Sequence, residues 1–153
     1  MASTVTPSEF KVFIKEDHVV NGIRTVNENL YRIPNVTNYD RRIVTVPVNT
    51  NVDLINTNGP VPGPALFPSY SIAYGRITNM DDTNALELGM IGATTNYQVT
   101  LKAGESHILG SPDDLLLAEA DTDPSFGSME ELVTIEVDPA GNAIDIEIFV
   151  ASG

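Results

Sequence analysis

YSIAYGRITNMDDTNALELGMIGATTNYQVTLKAGE, residues 70–105, holds three runs in which apolar and polar or small residues take turns. Tyr70, Ile72 and Tyr74 alternate with small residues; Leu86, Leu88 and Met90 with Ala85, Glu87 and Gly89; Tyr97, Val99 and Leu101 with Asn96, Gln98, Thr100 and Lys102. Side chains of a strand point to opposite faces in turn, so this period of two predicts antiparallel strands with one face buried and one wet. Ile77 is out of phase with Tyr74, and Gly75 between them predicts a β-bulge there. The connector Asn79-Met80-Asp81-Asp82-Thr83-Asn84 is rich in side chains that hydrogen-bond their own backbone, which predicts a tight turn.

Working outward toward the N-terminus, residues 9–15 alternate, with Phe10, Val12 and Ile14 on one face and Lys11, Phe13 and Lys15 on the other. Phe13 is then exposed unless something covers it. Asn21-Gly22 between His18-Val19-Val20 and Ile23-Arg24-Thr25-Val26 predicts a two-residue hairpin, because both turn residues tolerate positive φ. Leu30, Tyr31 and Ile33 predict a short strand stopped by Pro34. Residues 41–48 predict a strand that Pro47 keeps at an edge or ends, and residues 52–55 another. Residues 56–69 carry Pro60, Pro62, Pro64 and Pro68 and predict a stiff loop whose apolar Val61, Leu66 and Phe67 need cover, as a lid on the sandwich or against a partner.

Toward the C-terminus, residues 106–109 predict a short strand and residues 115–118 a buried strand or short helix. Val133, Ile135 and Val137 share one face of a strand, and Ile144, Ile146 and Ile148 one face of the last. Paired as a hairpin these two would set Glu136 opposite Asp145, an unfavourable like-charge contact. They are therefore expected in different sheets, or with those charges splayed into solvent. Nine or ten strands without a long helix predict an all-β chain, an antiparallel β-sandwich of jelly-roll or Greek-key type. The expected organisation is an extended arm over residues 1–8 and a single β-sandwich domain over residues 9–153.

The chain has 153 residues and no cysteine, which excludes disulfides and thiolate metal sites. No run of 18 apolar residues marks a membrane span, and MASTVTPSEF lacks the basic and apolar regions of a signal peptide. The net charge of −13 is uneven: residues 1–76 carry +1 and residues 77–153 carry −14, with Lys102 the only basic residue of that half. Such a field repels nucleic-acid backbones and anionic membranes, so neither is an expected partner. A near-neutral half that docks and an acidic half that faces solvent is one reading of that asymmetry.

Candidate catalytic groups are sparse. His18 and His107 each lie on a strand-like run without a local Ser or Asp motif. Asp81-Asp82 and Asp113-Asp114 read as turn caps rather than paired acid and base. Asp121-x-Asp123-x-Ser125 opens like a calcium loop but places Phe126 where Gly is required and Leu132 where a bidentate Glu is required. No enzymatic activity, cofactor or metal is therefore expected.

RITNMDDTNALELG, residues 76–89, followed by LKAGE, residues 101–105, resembles a pattern in small β-rich virion proteins of tailed bacteriophages: Ile-Thr-Asn into an Asp/Thr/Asn turn, a strand ending in Gly, and a later strand closing on Leu-Lys-Ala-Gly-Glu. The motif is structural rather than catalytic. Similar proteins include head decoration (cement) proteins and tail-associated β-sandwich proteins. The resemblance implies a virion structural protein, first a capsid decoration or cement protein that binds the outer surface of the major capsid protein shell and stabilises it. It would be assembled in host cytoplasm and located on the capsid surface. A tail-associated or receptor- or glycan-binding module is the alternative. Symmetry then suggests self-association, as a homotrimer before a homodimer. The expected contact residues are Val5 and Phe10 near the arm, Val61, Leu66 and Phe67 in the Pro-rich loop, and Arg41 and Arg42 against a rim of carboxylates.

Overall fold

The computed structural model describes residues 5–57, 72–110 and 126–153. The Pro-rich loop with Val61, Leu66 and Phe67, the segment 115–118, and the acidic pairs of residues 113–114 and 121–123 lie outside the described residues. Ten strands are present among the described residues: β1 (Ser8–Val20), β2 (Ile23–Val36), β3 (Asn38–Val46), β4 (Val52–Asn56), β5 (Ile72–Asn79), β6 (Leu86–Gly92), β7 (Asn96–Leu101), β8 (Ser106–Leu109), β9 (Leu132–Asp138) and β10 (Ile144–Ser152). Their pairings are all antiparallel.

Eight strands make two four-stranded sheets, β3-β10-β5-β8 and β4-β9-β6-β7. Successive strands from β3 to β10 mostly fall in opposite sheets, so the chain behaves as a double ribbon. The β3–β4 leg lies along β9–β10 and the β5–β6 leg along β7–β8. That order is a jelly roll, the double Greek key that an eight-stranded sandwich adopts. As expected, β9 and β10 lie in different sheets, which separates Glu136 from Asp145. Pro47 follows the last residue of β3, an edge strand.

The inner faces supply one contiguous core that includes Val46, Ile77 and Ile146 from one sheet and Leu88, Met90 and Ile135 from the other, all fully buried. The alternating runs of β6 and β10 provide it directly. In β9 the core takes Leu132 rather than Val133, because the register with β6 shifts between Ile91 and Gly92.

The bulge in β5 lies elsewhere than Gly75. Opposite it, Ala151 pairs with Tyr74 and Ser152 with Ile72, so the extra residue is Ala73. Tyr74 and Ile77 face opposite sides by plain alternation, and Tyr74 is buried on the outer side of its sheet. Gly75 faces inward, where an added Cβ would touch Leu109 at 3.6 Å.

The remaining pair, β1–β2, belongs to neither sheet. Residues 8–36 form one long hairpin closed at Asn21 (φ 51°) and Gly22 (φ 77°), the two positive φ angles that a tight two-residue turn demands. Pro34 does not stop β2. It sits where the register slips between Ser8–Val36 and Phe10–Ile33, beside Asn35 in the left-handed region (φ 62°). A bulge tolerates proline because no ladder donor is needed there.

Candidate functional site

The hairpin joins the sandwich through its base. Phe10 and Val12 pack with Ile33 and Val36 on the outer face of β3-β10-β5-β8, against Tyr74, Phe149 and Ala151. The Phe10 ring lies 5.5 Å from Tyr74 and 5.6 Å from Phe149, and Tyr39 stacks on the same Phe149 at 6.1 Å. This end of the first sheet is therefore covered on both faces.

Further along that outer face sits Glu147, 5 % exposed. Its neighbours across the sheet are set by register: β10 pairs Phe149 with Arg41 of β3 and with Arg76 of β5. Both guanidinium groups lean one step along to Glu147. Arg41 donates Nε at 2.8 Å and Nη2 at 2.5 Å to Oε2; Arg76 donates Nη2 at 2.5 Å to Oε1 and Nη1 to the Thr78 hydroxyl. Both carboxylate oxygens are engaged, and the hydrogen bonds from Arg41 and then Arg76 hold the Glu147 carboxyl below the usual range. A carboxylate so held is a poor proton donor; it serves to order two arginines on a flat surface. Around this triad Tyr39 (70 %), Ile43 (60 %) and Ile108 (47 %) stand exposed.

The outer face of the second sheet is of opposite character. A shallow groove is lined by Asn51, Glu87, Gly89, Gln98, Glu136 and Asp138, and Asp53 of β4 lies beside it, paired with Glu136. The charge division that the sequence suggested between halves of the chain is thus, on the described strands, largely one between sheet faces.

The turns that follow β5 and β7 form a clamp at one end of the sandwich. Asn79, fully buried at the end of β5, donates its amide to the carbonyls of Asn84 (2.8 Å), Leu101 (3.2 Å) and Lys102 (3.1 Å), and its Oδ1 accepts from the Asp81 amide at 3.0 Å. The Asp81 carboxylate accepts from the backbone of Thr83 (2.8 Å) and Asn84 (2.6 Å), and the bonds from Asn84 and then Thr83 hold its pKa down. In the Lys102–Glu105 turn, Gly104 has φ 76°, its amide donates to the Asn79 carbonyl at 3.1 Å, and Glu105 accepts from the Lys102 amide at 2.9 Å. Asn79 thereby ties the two sheets together, and Asp81-Asp82 is a turn cap.

Of the expected contact residues, Val5 is exposed (58 %). Phe10 is half-buried in the aromatic cluster just described and anchors the hairpin within the chain. Arg41 and Arg42 are not brought together: alternation sends Arg41 to Glu147 on the outer face and Arg42 to the other side, 3.5 Å from Asp40. His18 is exposed on the hairpin, while His107 on β8 is half-buried, and burial lowers its pKa. Among the described residues no group of three or more His, Cys, Asp or Glu is placed to hold a metal ion, and no helix is long and apolar enough to cross a membrane.

Sequence reading misses the Glu147 triad. Its arginines are 106 and 71 residues away, and the one available signal is their place on the outward positions of strands. No family model, no curated protein and no solved structure matches this chain.

Proposed function

We propose that this is a non-enzymatic structural protein that docks on a larger protein shell through the outer face of β3-β10-β5-β8 and exposes the acidic face of the opposite sheet. On the resemblance of residues 76–89 and 101–105, the shell is the major capsid protein lattice of a tailed bacteriophage and the role is decoration, or cement. The observation that carries the reading is the contrast between the two faces. One presents Tyr39, Ile43 and Ile108 around an ordered arginine pair; the other presents Asp53, Glu87, Glu136 and Asp138. Exposed apolar groups beside ordered charge on one face are the composition of a docking surface, and a one-sided acidic field keeps the free face soluble and repels further layers.

Co-sedimentation with shells that lack the protein tests the reading. Saturable binding at a fixed ratio to shell subunits is expected, falling only modestly with added salt because the contact is led by apolar groups. Absence of saturable binding by folded protein contradicts it.

A further inference from the structure

The two faces of the β1–β2 hairpin are not equivalent. One docks at its base on the chain's own sheet through Phe10, Val12 and Ile33. The other points away along its whole length. On it Phe13 stands opposite Leu30, Lys15 opposite Glu28, and Asp17 opposite Val26. Phe13 is 59 % exposed, Val26 51 % and the neighbouring Val19 64 %. A two-stranded ribbon with a bare apolar face is marginal by itself in water, and this one extends through eight register pairs beyond its docked base, from Phe13–Leu30 to Val20–Ile23.

Charge says what covers it. In a chain of net charge −13 the hairpin is neutral, with Lys11, Lys15, Arg24 and Arg32 balanced by Glu9, Glu16, Asp17 and Glu28. Most of the charges on the free face are paired locally: Arg24 with Asp17 at 2.5 Å, Lys11 and Arg32 with Glu9 at 3.4 and 2.6 Å. Lys15 and Glu28 form no ion pair among the described residues, although they stand directly opposite. The face is thus neutral, apolar at intervals, and carries one unmatched plus and minus at its centre.

We infer that the hairpin is the self-association element of this protein, its free face packing on the same face of a second copy about a two-fold axis along the hairpin. That axis lays β1 of one copy over β2 of the other. Every rung then meets its own reverse: Phe13 on Leu30, and Lys15 on Glu28, each twice. Beyond the docked base the opposite face is exposed as well, with Ile14 (43 %), Val20 (59 %) and Ile23 (71 %) on it. The Lys15–Glu28 rung, which is its own complement when reversed, lies on the face turned from the sheet. It favours a pair over a trimer, since a two-fold contact uses the same patch on both copies. The neutral hairpin is also where two acidic molecules can meet without mutual repulsion. The contact is limited to the eight register pairs beyond the docked base, small beside a standard interface, so association depends on protein concentration.

The 153-residue chain is followed by sedimentation velocity from about 1 to 200 µM, a range that brackets a micromolar dimer. Lys15→Glu and Glu28→Lys are each expected to weaken the dimer about tenfold or more by placing like charges together twice. Mixing the two variants restores it. Across one contact the acid introduced at position 15 meets the base introduced at position 28, and across the other the original Lys15 and Glu28 meet. No effect confined to one chain can do this. Phe13→Ser weakens the dimer independently of charge, with circular dichroism checking that each variant is folded. A wild type that stays monomeric throughout, a trimer, or mixed variants that associate no better than either alone overturns the inference. No shell is present in this measurement, so its outcome and that of shell binding are separate.

Discussion

Asn79 is where most of the sequence motif converges. Its amide satisfies three carbonyls from two chain segments, and its oxygen positions the amide of Asp81. Asn79→Ala leaves buried carbonyls without a donor and should cost about 2–4 kcal/mol in urea unfolding. Asn79→Asp should be at least as damaging, since a carboxylate set against three carbonyls cannot donate. Glu147 gives a prediction in pH. Its pKa is lowered in the folded chain by Arg41 and Arg76, so its contribution to stability is complete above its ordinary value of 4.5. That contribution is lost as pH falls through the lower folded value. Glu147→Gln should therefore be less stable than the wild type near neutrality, and the difference should shrink as pH drops below about 4.5. A difference constant with pH would show that the arginines do not hold the carboxylate. These two residues also differ in how far sequence reveals them. Asn79 lies inside a dense local run of turn-formers and bonds Asn84 within it, while Leu101 and Lys102 are 22 and 23 residues on, inside the same 70–105 stretch. Glu147 sits in an isoleucine-rich strand where alternation marks it only as outward-facing, and its partners come from distant strands.

At the scale of elements the hairpin is the informative case. Asn21-Gly22 announces it, because two successive residues at positive φ leave little choice of turn. Its length is not legible. The strand alternation fades between Glu16 and Asn27 since no core lies beneath, and Pro34 suggests a stop where the chain instead makes a bulge. The bulge in β5 is misplaced by sequence for a related reason: Tyr74 is buried on the outer face beneath the hairpin, so the rule of one wet face fails locally. Phe10 holds this arrangement together. Phe10→Ala should weaken docking by about 2 kcal/mol. That should appear as faster amide exchange across β1 and β2 with protection in β6, β9 and β10 unchanged. Equal loss of protection throughout would mean that the hairpin and sandwich open as one unit.

At the scale of the whole molecule, the jelly-roll order is within reach of the sequence because its strands alternate cleanly and its turns are marked. The division of charge is legible only in outline. The acidic residues of β9 face outward from the second sheet, while Glu147 of β10 is consumed by arginines on the first; only sheet order separates them. That leaves one apolar, arginine-bearing face and one acidic face on opposite sides of a single core, with the shell proposed to lie against the former. Two substitutions test this directly in co-sedimentation with shells lacking the protein. Ile43→Asp lies on the exposed side of edge strand β3 and removes no core contact, but it faces Glu147 across the strands, so circular dichroism checks that its fold is retained; Glu136→Lys lies on the acidic face. Ile43→Asp is expected to lower shell binding about tenfold or more, while Glu136→Lys leaves it unchanged. Loss of binding by Glu136→Lys with Ile43→Asp behaving as wild type would contradict the proposed docking face.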